Sequence, residues 1–523
     1  MSDKPIDQPE HDSVNERELE EGEETKGLVS NGAAMVVSRL LTAVFGWAGS
    51  VVIARTLSPE SWGQYSFVFG LLGIMAVVTD LGVGRVVISR LTGAEQKDFG
   101  PVAGSFIVLR CVLGIAGYLV ALAYSLIVGL SPMVVMVVAI AGTTVTLATP
   151  ANALLVLFQS RLKLVFLATW DVIAQIVQFL LILLVMKTHP TLLAFVLPAI
   201  AREVVTVGVR IIAIRTGKLD GRVPTYGAVF GLWGPMLREA IPISIGLALL
   251  TILTKIDTLM LERLDTYESV GLYAIGYKFS DVLILAVSAL AVPFTTVLVR
   301  AWGADTDTFR QRTRQAMTVA ALLGGLAIVG FVSAAEGVIG LLYGAQFEPA
   351  SNAARLLVMS SAISGVTTIG WVVLVSAEKL KVFPWVAGLG VVLNIALNSV
   401  FIPLWSIMGA AGATIISELV IFFAFLYMAR QSTGITRLIP VTQLARQGLL
   451  IAAVTAPTWA LINKAGWPWI PTVAAACVLH LALSVVSKSF DVGDRIKFLA
   501  PKEPGDIDSP VEATTNSRSA NDE

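Results

Sequence analysis

Charged residues are scarce in this chain. Asp, Glu, Lys and Arg make up only 14% of its 523 residues, whereas a typical soluble domain carries roughly 25%. Lys plus Arg balance Asp plus Glu at 37 each, and no basic cluster suggests a nucleic-acid partner. The composition therefore argues against an ordinary soluble globular protein and against binding to DNA or RNA.

Cysteine and histidine are also rare, with two and three copies. Cys111 and Cys477 each lie inside an apolar run, so they predict neither a disulfide framework nor a metal site. The sequence has no Gly-rich loop ending in Lys-Ser or Lys-Thr, so no nucleotide site is predicted. We expect no metal, no cofactor and no enzymatic activity.

Long apolar runs are what the chain has instead. Hydrophobic residues make up 55% of it, and mean hydropathy is +0.78. A run of about 18 or more apolar residues can cross a bilayer as a helix, and these runs lack the alternating pattern of a barrel. The sequence predicts an all-α polytopic membrane protein with fourteen spans near residues 30–54, 64–88, 102–127, 131–157, 165–186, 191–213, 240–261, 270–299, 315–335, 353–376, 383–404, 409–429, 447–463 and 468–487.

The short loops predict how the spans are oriented. With a cytoplasmic N-terminus, the cytoplasmic loops carry seventeen Lys and Arg residues and the outer loops only four. Such a bias is typical of cytoplasmic loops, so we expect a cell-membrane protein with both termini in the cytoplasm. Residues 1–27 are acidic and lack an apolar core, which predicts a disordered tail and no signal peptide.

An internal repeat divides the membrane part. Glu60-Ser61-Trp62-Gly63-Gln64-Tyr65 follows the first span, and Glu268-Ser269-Val270-Gly271-Leu272-Tyr273 follows the seventh. Two six-helix halves that start on the same side would be a parallel repeat. The predicted organisation is a disordered acidic tail (1–27), two six-helix bundles (28–214 and 239–431) joined by a cytoplasmic linker (215–238), two additional transmembrane helices (432–488) and a disordered cytoplasmic tail (489–523).

Several short motifs resemble those of one family. Residues 53–65 (IARTLSPESWGQY) are similar to the ARxLxPExxGxY signature of Wzx-type polysaccharide flippases, and Asp80-Leu81-Gly82 resembles that family's DLG. Three further stretches match it in order: IDTLML at 256–261, LYGAQF at 342–347, and the run from Asn394 to Gly412. Leu404 departs from the pattern, since glycine usually follows the Ile-Pro of that run.

The resemblance implies the multidrug/oligosaccharidyl-lipid/polysaccharide (MOP) exporter superfamily, with two helix bundles around a central cavity. It implies a flippase that moves a polyprenyl-diphosphate-linked oligosaccharide to the outer leaflet by alternating access. The implied partners are this glycan carrier, membrane lipids and other polysaccharide-assembly proteins. Alternatives are a lipid II-type flippase or multidrug exporter of the same superfamily and, outside transport, a membrane enzyme or scaffold of polysaccharide assembly.

Charges inside the apolar spans are the candidate site residues, because they are costly in lipid and usually face a cavity or a partner. The substrate-binding candidates are Arg39, Arg202, Lys255, Asp257, Lys278 and Asp281. The resemblance implies that the first and second spans face the seventh and eighth across the cavity, so Arg39, Lys255 and Lys278 are expected to converge on the substrate diphosphate.

Packing roles are the alternative for these charges. Lys255 can reach the headgroup region, Lys278 can pair with Asp281 three residues on, and Asp171 and Arg202 lie at compatible depths for pairing. Five other polar positions have a structural role as their plainer interpretation: Arg110 and Asp80 as headgroup or loop contacts, and Glu418 with the Asn394/Asn398 pair as contacts between helices, although a functional role stays open for these last three.

Overall fold

The computed structural model describes residues 35–92, 96–161, 165–219, 224, 229–379 and 383–490. These ranges are helical throughout, without a β-strand. The helices are α1 (Met35–Thr56), α2 (Pro59–Asp80), α3 (Val83–Thr92), α4 (Gln96–Ile127), α5 (Pro132–Ala141), α6 (Thr143–Gln159), α7 (Val165–Thr188), α8 (Leu197–Arg215), α9 (Trp233–Leu264), α10 (Tyr267–Ala304), α11 (Thr306–Ala327), α12 (Ala335–Tyr343), α13 (Ser351–Ser376), α14 (Phe383–Thr433), α15 (Val441–Asn463) and α16 (Trp469–Val486).

The predicted all-α membrane fold is confirmed. Within the described ranges, eleven helices are long and apolar enough to cross a membrane. The 51-residue α14 holds two predicted spans, while α8 and α15 coincide with predicted spans but fall outside the eleven. α8 carries Arg202, Glu203, Arg210 and Arg215, so its polar content separates it from the rest.

Left-handed residues break the long helices. Leu81 (φ 43°) and Gly82 (φ 58°) separate α2 from α3 at the Asp-Leu-Gly motif. Within α14, Ser406 has φ 53° and marks the turn between the two spans. Gly409 packs against this turn so closely that an added Cβ would lie 2.0 Å from the Phe401 carbonyl oxygen. This turn therefore forms without a glycine directly after Pro403.

Side-chain caps start several helices in the loops. Asp305 caps α11 by accepting hydrogen bonds from the backbone N–H groups of Thr308 and Asp307, at 2.8 and 3.2 Å. These bonds, that of Thr308 foremost, hold the pKa of the Asp305 carboxyl below its usual range. The cap therefore stabilises the start of α11 at neutral pH.

The helices up to α8 and those from α9 onward meet along α2. Within the first group, α4 packs on α2 and α6, and α8 packs on α6 and α7. Within the second, α13 is the most central helix, packing on α10, α11 and α14, while α15 and α16 pack on α11 and the π-helical turn Ile328–Val332. α2 contacts both α9 and α10, and α3 contacts α9.

Some predictions fall outside the described residues. They concern the acidic tail, most of the basic linker with Arg222, the loop residues Lys163 and Lys381, and the C-terminal tail beyond residue 490. Below, the face at which α1 begins is called the inner face and the face at which it ends the outer face, following the predicted topology.

Candidate functional site

A cavity of about 150 Å³, here the lysine cavity, lies where α2 meets α9 and α10. Lys255, Lys278 and Asp281 all line it. The Lys255 ammonium lies 6.0 Å from the ring centroid of Tyr277, and the Lys278 ammonium lies 5.9 Å from that of Trp62. Aromatic faces attract cations at this range, so both ammonium groups are held at the cavity wall.

Lys278 and Asp281 share the cavity without forming an ion pair. Both side chains are described, and no nitrogen–oxygen contact within 4.0 Å joins them. The predicted i, i+3 pair is therefore absent from this conformation. Asp281 is exposed, and its side chain does not turn toward Lys278. A spacing of three residues along a helix therefore did not by itself bring the two side chains together.

Two further cavities continue from the lysine cavity into the first half of the chain. The middle cavity, about 380 Å³, is lined by Trp62, Lys278, Gln175, Gln178, Arg202 and Glu203. The arginine cavity, about 540 Å³, is lined by Arg39, Arg202, Glu203, Asp171, Arg210 and Asn152. Trp62 and Lys278 line the lysine and middle cavities, while Arg202 and Glu203 line the middle and arginine cavities.

The candidate cations therefore follow one another along a path instead of meeting at one point. Arg39 lies 17 residues before the outer end of α1, about 25 Å at 1.5 Å per residue. Lys255 lies nine residues before the end of α9, about 14 Å from the outer face. The expected convergence of Arg39 with the two lysines is wrong for this structure, because they line different cavities at different depths.

The ion pairs in the arginine cavity differ from the predicted pair of Asp171 with Arg202. Asp171 pairs with Arg210 at 3.0 Å, and Arg202 pairs with its neighbour Glu203 at 3.3 Å. Arg210 is buried and also donates a hydrogen bond of 2.7 Å to the Ala151 carbonyl oxygen. The sequence reasoning missed Arg210 because it lies near the basic end of α8. Its spacing of eight residues from Arg202, about two turns along the helix, was the available signal.

Asp257 does not line any of these three cavities. Its side chain is fully buried and accepts hydrogen bonds from Tyr273 at 2.7 Å, Tyr277 at 2.9 Å, Thr414 at 2.8 Å and Asn398 at 2.7 Å. Four neutral donors thus surround one carboxylate and tie α9 to α10 and α14. The polar contact between helices expected of Asn398 is confirmed, and its amide also donates to Asn394 at 2.9 Å.

Arg110 is buried and not a headgroup contact. Its side chain is 2% exposed, pairs with Asp80 at 2.7 Å and donates to the Thr79 carbonyl oxygen at 3.0 Å. This arginine holds the inner end of α2 against α4, so the loop or headgroup role predicted for it is wrong.

The comparisons with known proteins agree with this architecture. Residues 28–300, more than half of the chain, match the family described as "Polysaccharide biosynthesis protein". The chain belongs to this family. Residues 242–400 also match the MatE family. A comparison with curated proteins finds no match.

Solved structures of the MOP superfamily share the fold. "Lipid II flippase MurJ, inward closed conformation" is 13% identical with a TM-score of 0.70, over 87% of this chain and 98% of that one. An inward-facing multidrug resistance MATE family transporter is 15% identical with a TM-score of 0.64, over 75% and 94%. A MOP superfamily transporter from Pyrococcus furiosus is 13% identical with a TM-score of 0.56, over 78% and 96%. The chain is a Wzx-like membrane transporter of the MOP superfamily.

Proposed function

We propose that this protein flips a polyprenyl-diphosphate-linked oligosaccharide from the inner to the outer leaflet by alternating access. One observation carries the proposal: a run of cation-lined cavities that starts where the two halves meet and continues into the first half, in a chain from a polysaccharide biosynthesis family. A diphosphate is the part of such a substrate that most resists about 30 Å of hydrocarbon. Fixed cations in a water-filled path lower that barrier.

The three cavities suit different parts of this substrate. Lys255 and Lys278 supply positive charge for the diphosphate in the lysine cavity. Gln175 and Gln178 of the middle cavity offer amide donors and acceptors that match sugar hydroxyls. Arg39, which lines the arginine cavity near the inner end of α1, is placed to meet the diphosphate first.

The transport is proposed to proceed without catalysis and without nucleotide. The sequence has no phosphate-binding loop, so the driving force must be an ion gradient, the membrane potential or the substrate supply. We also propose a location in the cell membrane with both termini in the cytoplasm, as the loop charges indicate. A reporter fused after Glu523 that functions only in the cytoplasm tests this orientation.

A lipid II-type flippase is the second candidate. The similarity to MurJ, a lipid II flippase with a TM-score of 0.70, favours it. The match to the polysaccharide biosynthesis family over residues 28–300 favours the first candidate. Both substrates present a diphosphate to the same lysines. The two candidates are therefore distinguished by comparing the binding of different glycans on one lipid carrier.

Binding measurements on purified protein test the proposal. A polyprenyl-diphosphate oligosaccharide is titrated into wild type and into Arg39→Gln, Lys255→Gln and Lys278→Gln. Lys255→Gln and Lys278→Gln should each raise Kd about tenfold or more, because a hydrogen bond to a charged group contributes roughly 1.5–3 kcal/mol and 1.4 kcal/mol is tenfold. Arg39→Gln, in the separate arginine cavity, should have a smaller effect on Kd. Lys464→Gln is the matched control, since Lys464 lies at an outer helix end beside Trp459.

The double variant Lys278→Ala/Asp281→Ala separates a binding role from a charge-balancing role for Lys278. If Lys278 serves only to balance the Asp281 carboxylate across the lysine cavity, removing both side chains should restore what the single change lost. If Lys278 binds the diphosphate, the double variant stays weak while remaining folded. Unchanged Kd values in all three single variants would contradict the proposed site.

A further inference from the structure

The two repeat segments of the sequence form equivalent helix starts. Ser58 caps α2 by accepting from the Ser61 N–H, and Thr266 caps α10 by accepting from the Ser269 N–H. Gly63 is then the fifth residue of α2, and Gly271 is the fifth residue of α10. The repeat therefore places one glycine at the same position near the outer end of each helix.

These two glycines lie against each other's helix. A Cβ added to Gly63 would lie 1.7 Å from the Tyr267 carbonyl oxygen and 2.9 Å from the Gly271 nitrogen. A Cβ added to Gly271 would lie 2.1 Å from the Pro59 carbonyl oxygen and 3.1 Å from the Gly63 nitrogen. The two backbones are in direct contact, and neither position has room for any side chain.

The crossing lies between the outer face and the lysine cavity. Trp62 and Val270, the residues before the two glycines, are 2% and 0% exposed. Trp62 and Tyr65 of the same α2 turn already line the lysine cavity. A side chain of the second half, Gln346, reinforces the contact by donating to the Leu57 carbonyl oxygen at 3.3 Å.

The inner face is held by side chains instead. The Ser244 hydroxyl on α9 donates to the Leu81 carbonyl oxygen at 2.6 Å, and Arg90 pairs with Glu239 at 2.6 Å with both side chains partly exposed. Solvent-exposed ion pairs contribute little. The two faces are thus closed in different ways, the outer one by backbone contact that requires glycine on both helices.

We propose that Gly63 and Gly271 form the outer gate of the transport path, and that the outer ends of α2 and α10 separate to release substrate. The proposal rests on the proposed alternating access but not on the identity of the substrate. A methyl group at either position acts as a wedge that opposes closure and shifts the protein toward states open to the outside. Positions at the other end of the path, such as Arg39, should stay inaccessible to a reagent added outside.

Cysteine labelling from outside tests the gate without any glycan. In a background with Cys111→Ala and Cys477→Ala, Ser66→Cys places one thiol on the lysine cavity wall. Intact cells are treated with a membrane-impermeant methanethiosulfonate. Adding Gly63→Ala or Gly271→Ala should raise the labelling rate several-fold. Gly303→Ala, at the inner end of α10 where a Cβ meets nothing within 4 Å, should leave the rate unchanged.

A reversible cross-link provides a second measurement if the glycine variants do not accumulate. Leu57→Cys with Gln346→Cys spans the same outer contact while both glycines remain. In the same Cys111→Ala/Cys477→Ala background, joining these thiols with a bifunctional thiosulfonate should suppress transport, and reductant should restore it. Equal labelling of the glycine variants and the control, or full transport by the cross-linked protein, would overturn the proposal.

Discussion

Replacing Asp257 separates the contribution of its shape from that of its charge. Three hydroxyl groups donate to its Oδ2 atom and the Asn398 amide donates to Oδ1. Asp257→Ala removes all four acceptor contacts in a site that is 0% exposed. At about 1 kcal/mol per hydrogen bond, we expect the free energy of unfolding to fall by about 4 kcal/mol.

Asp257→Asn should cost much less, about 1 kcal/mol, because the network can rearrange around it. The new Oδ1 can take the place of Oδ2 and keep the three hydroxyl donors. Its Nδ2 then faces Asn398, whose Oδ1 has no partner among the described residues. If the side-chain amide of Asn398 flips, its Oδ1 accepts a hydrogen bond from Nδ2 of the new Asn. Asn394 can then flip as well, so that its unpartnered Nδ2 donates to the same Oδ1 of Asn398.

Thermal stability of the purified protein in detergent measures both variants, with aggregation followed by size-exclusion chromatography. The expected order is wild type, then Asp257→Asn, then Asp257→Ala, with the larger gap before the alanine variant. Ser399→Ala is a control, because among the described residues the Ser399 hydroxyl bonds within its own helix, to the Ile395 carbonyl oxygen. Equal melting temperatures for the Asn and Ala variants would refute the account of a shared hydrogen-bond network.

Two further perturbations follow from contacts at the inner face and in the arginine cavity. Ser244→Ala removes the hydrogen bond to the Leu81 carbonyl oxygen, which contributes about 1 kcal/mol. The labelling rate of a Ser38→Cys thiol from the inner face should therefore rise about fivefold. Unchanged labelling would show that this bond does not hold α9 to α2. Arg210→Met leaves Asp171 without its partner and should cost about 3 kcal/mol, whereas Arg210→Met with Asp171→Leu should recover part of that stability in thermal denaturation. Equal stability of the single and double variants would contradict this coupling.

The helices were predictable because their signals are local. Apolar length placed spans such as α2 and α7, whereas the breaks at Gly142 and Leu81 fall inside the predicted spans 131–157 and 64–88 and were not predicted. The cap residues Ser58 and Thr266 were likewise contained in or next to the repeated motif. Local sequence was less informative at Ser406, where the chain turns without the expected glycine.

Partners within the site were not predictable in the same way. Asp257 is bound by side chains 141 and 157 positions further on, at Asn398 and Thr414. The choice of Arg210 over Arg202 as partner of Asp171 also depends on how α7 and α8 pack. Helical spacing gives the face of a residue within its own helix, but which helix lies opposite is a property of the tertiary fold. The sequence therefore indicated which charges are unusual without showing how they are connected.

Flipping by purified protein is the most direct test of the central claim. A polyprenyl-diphosphate oligosaccharide is placed in proteoliposomes, and a glycan-cleaving enzyme added outside reports how much reaches the outer leaflet. Wild type and Lys464→Gln should expose substrate well above protein-free liposomes, and Lys255→Gln/Lys278→Gln should lose most of that activity while remaining folded. The account is contradicted if wild type moves no more substrate than protein-free liposomes, or if the double lysine variant flips as fast as wild type.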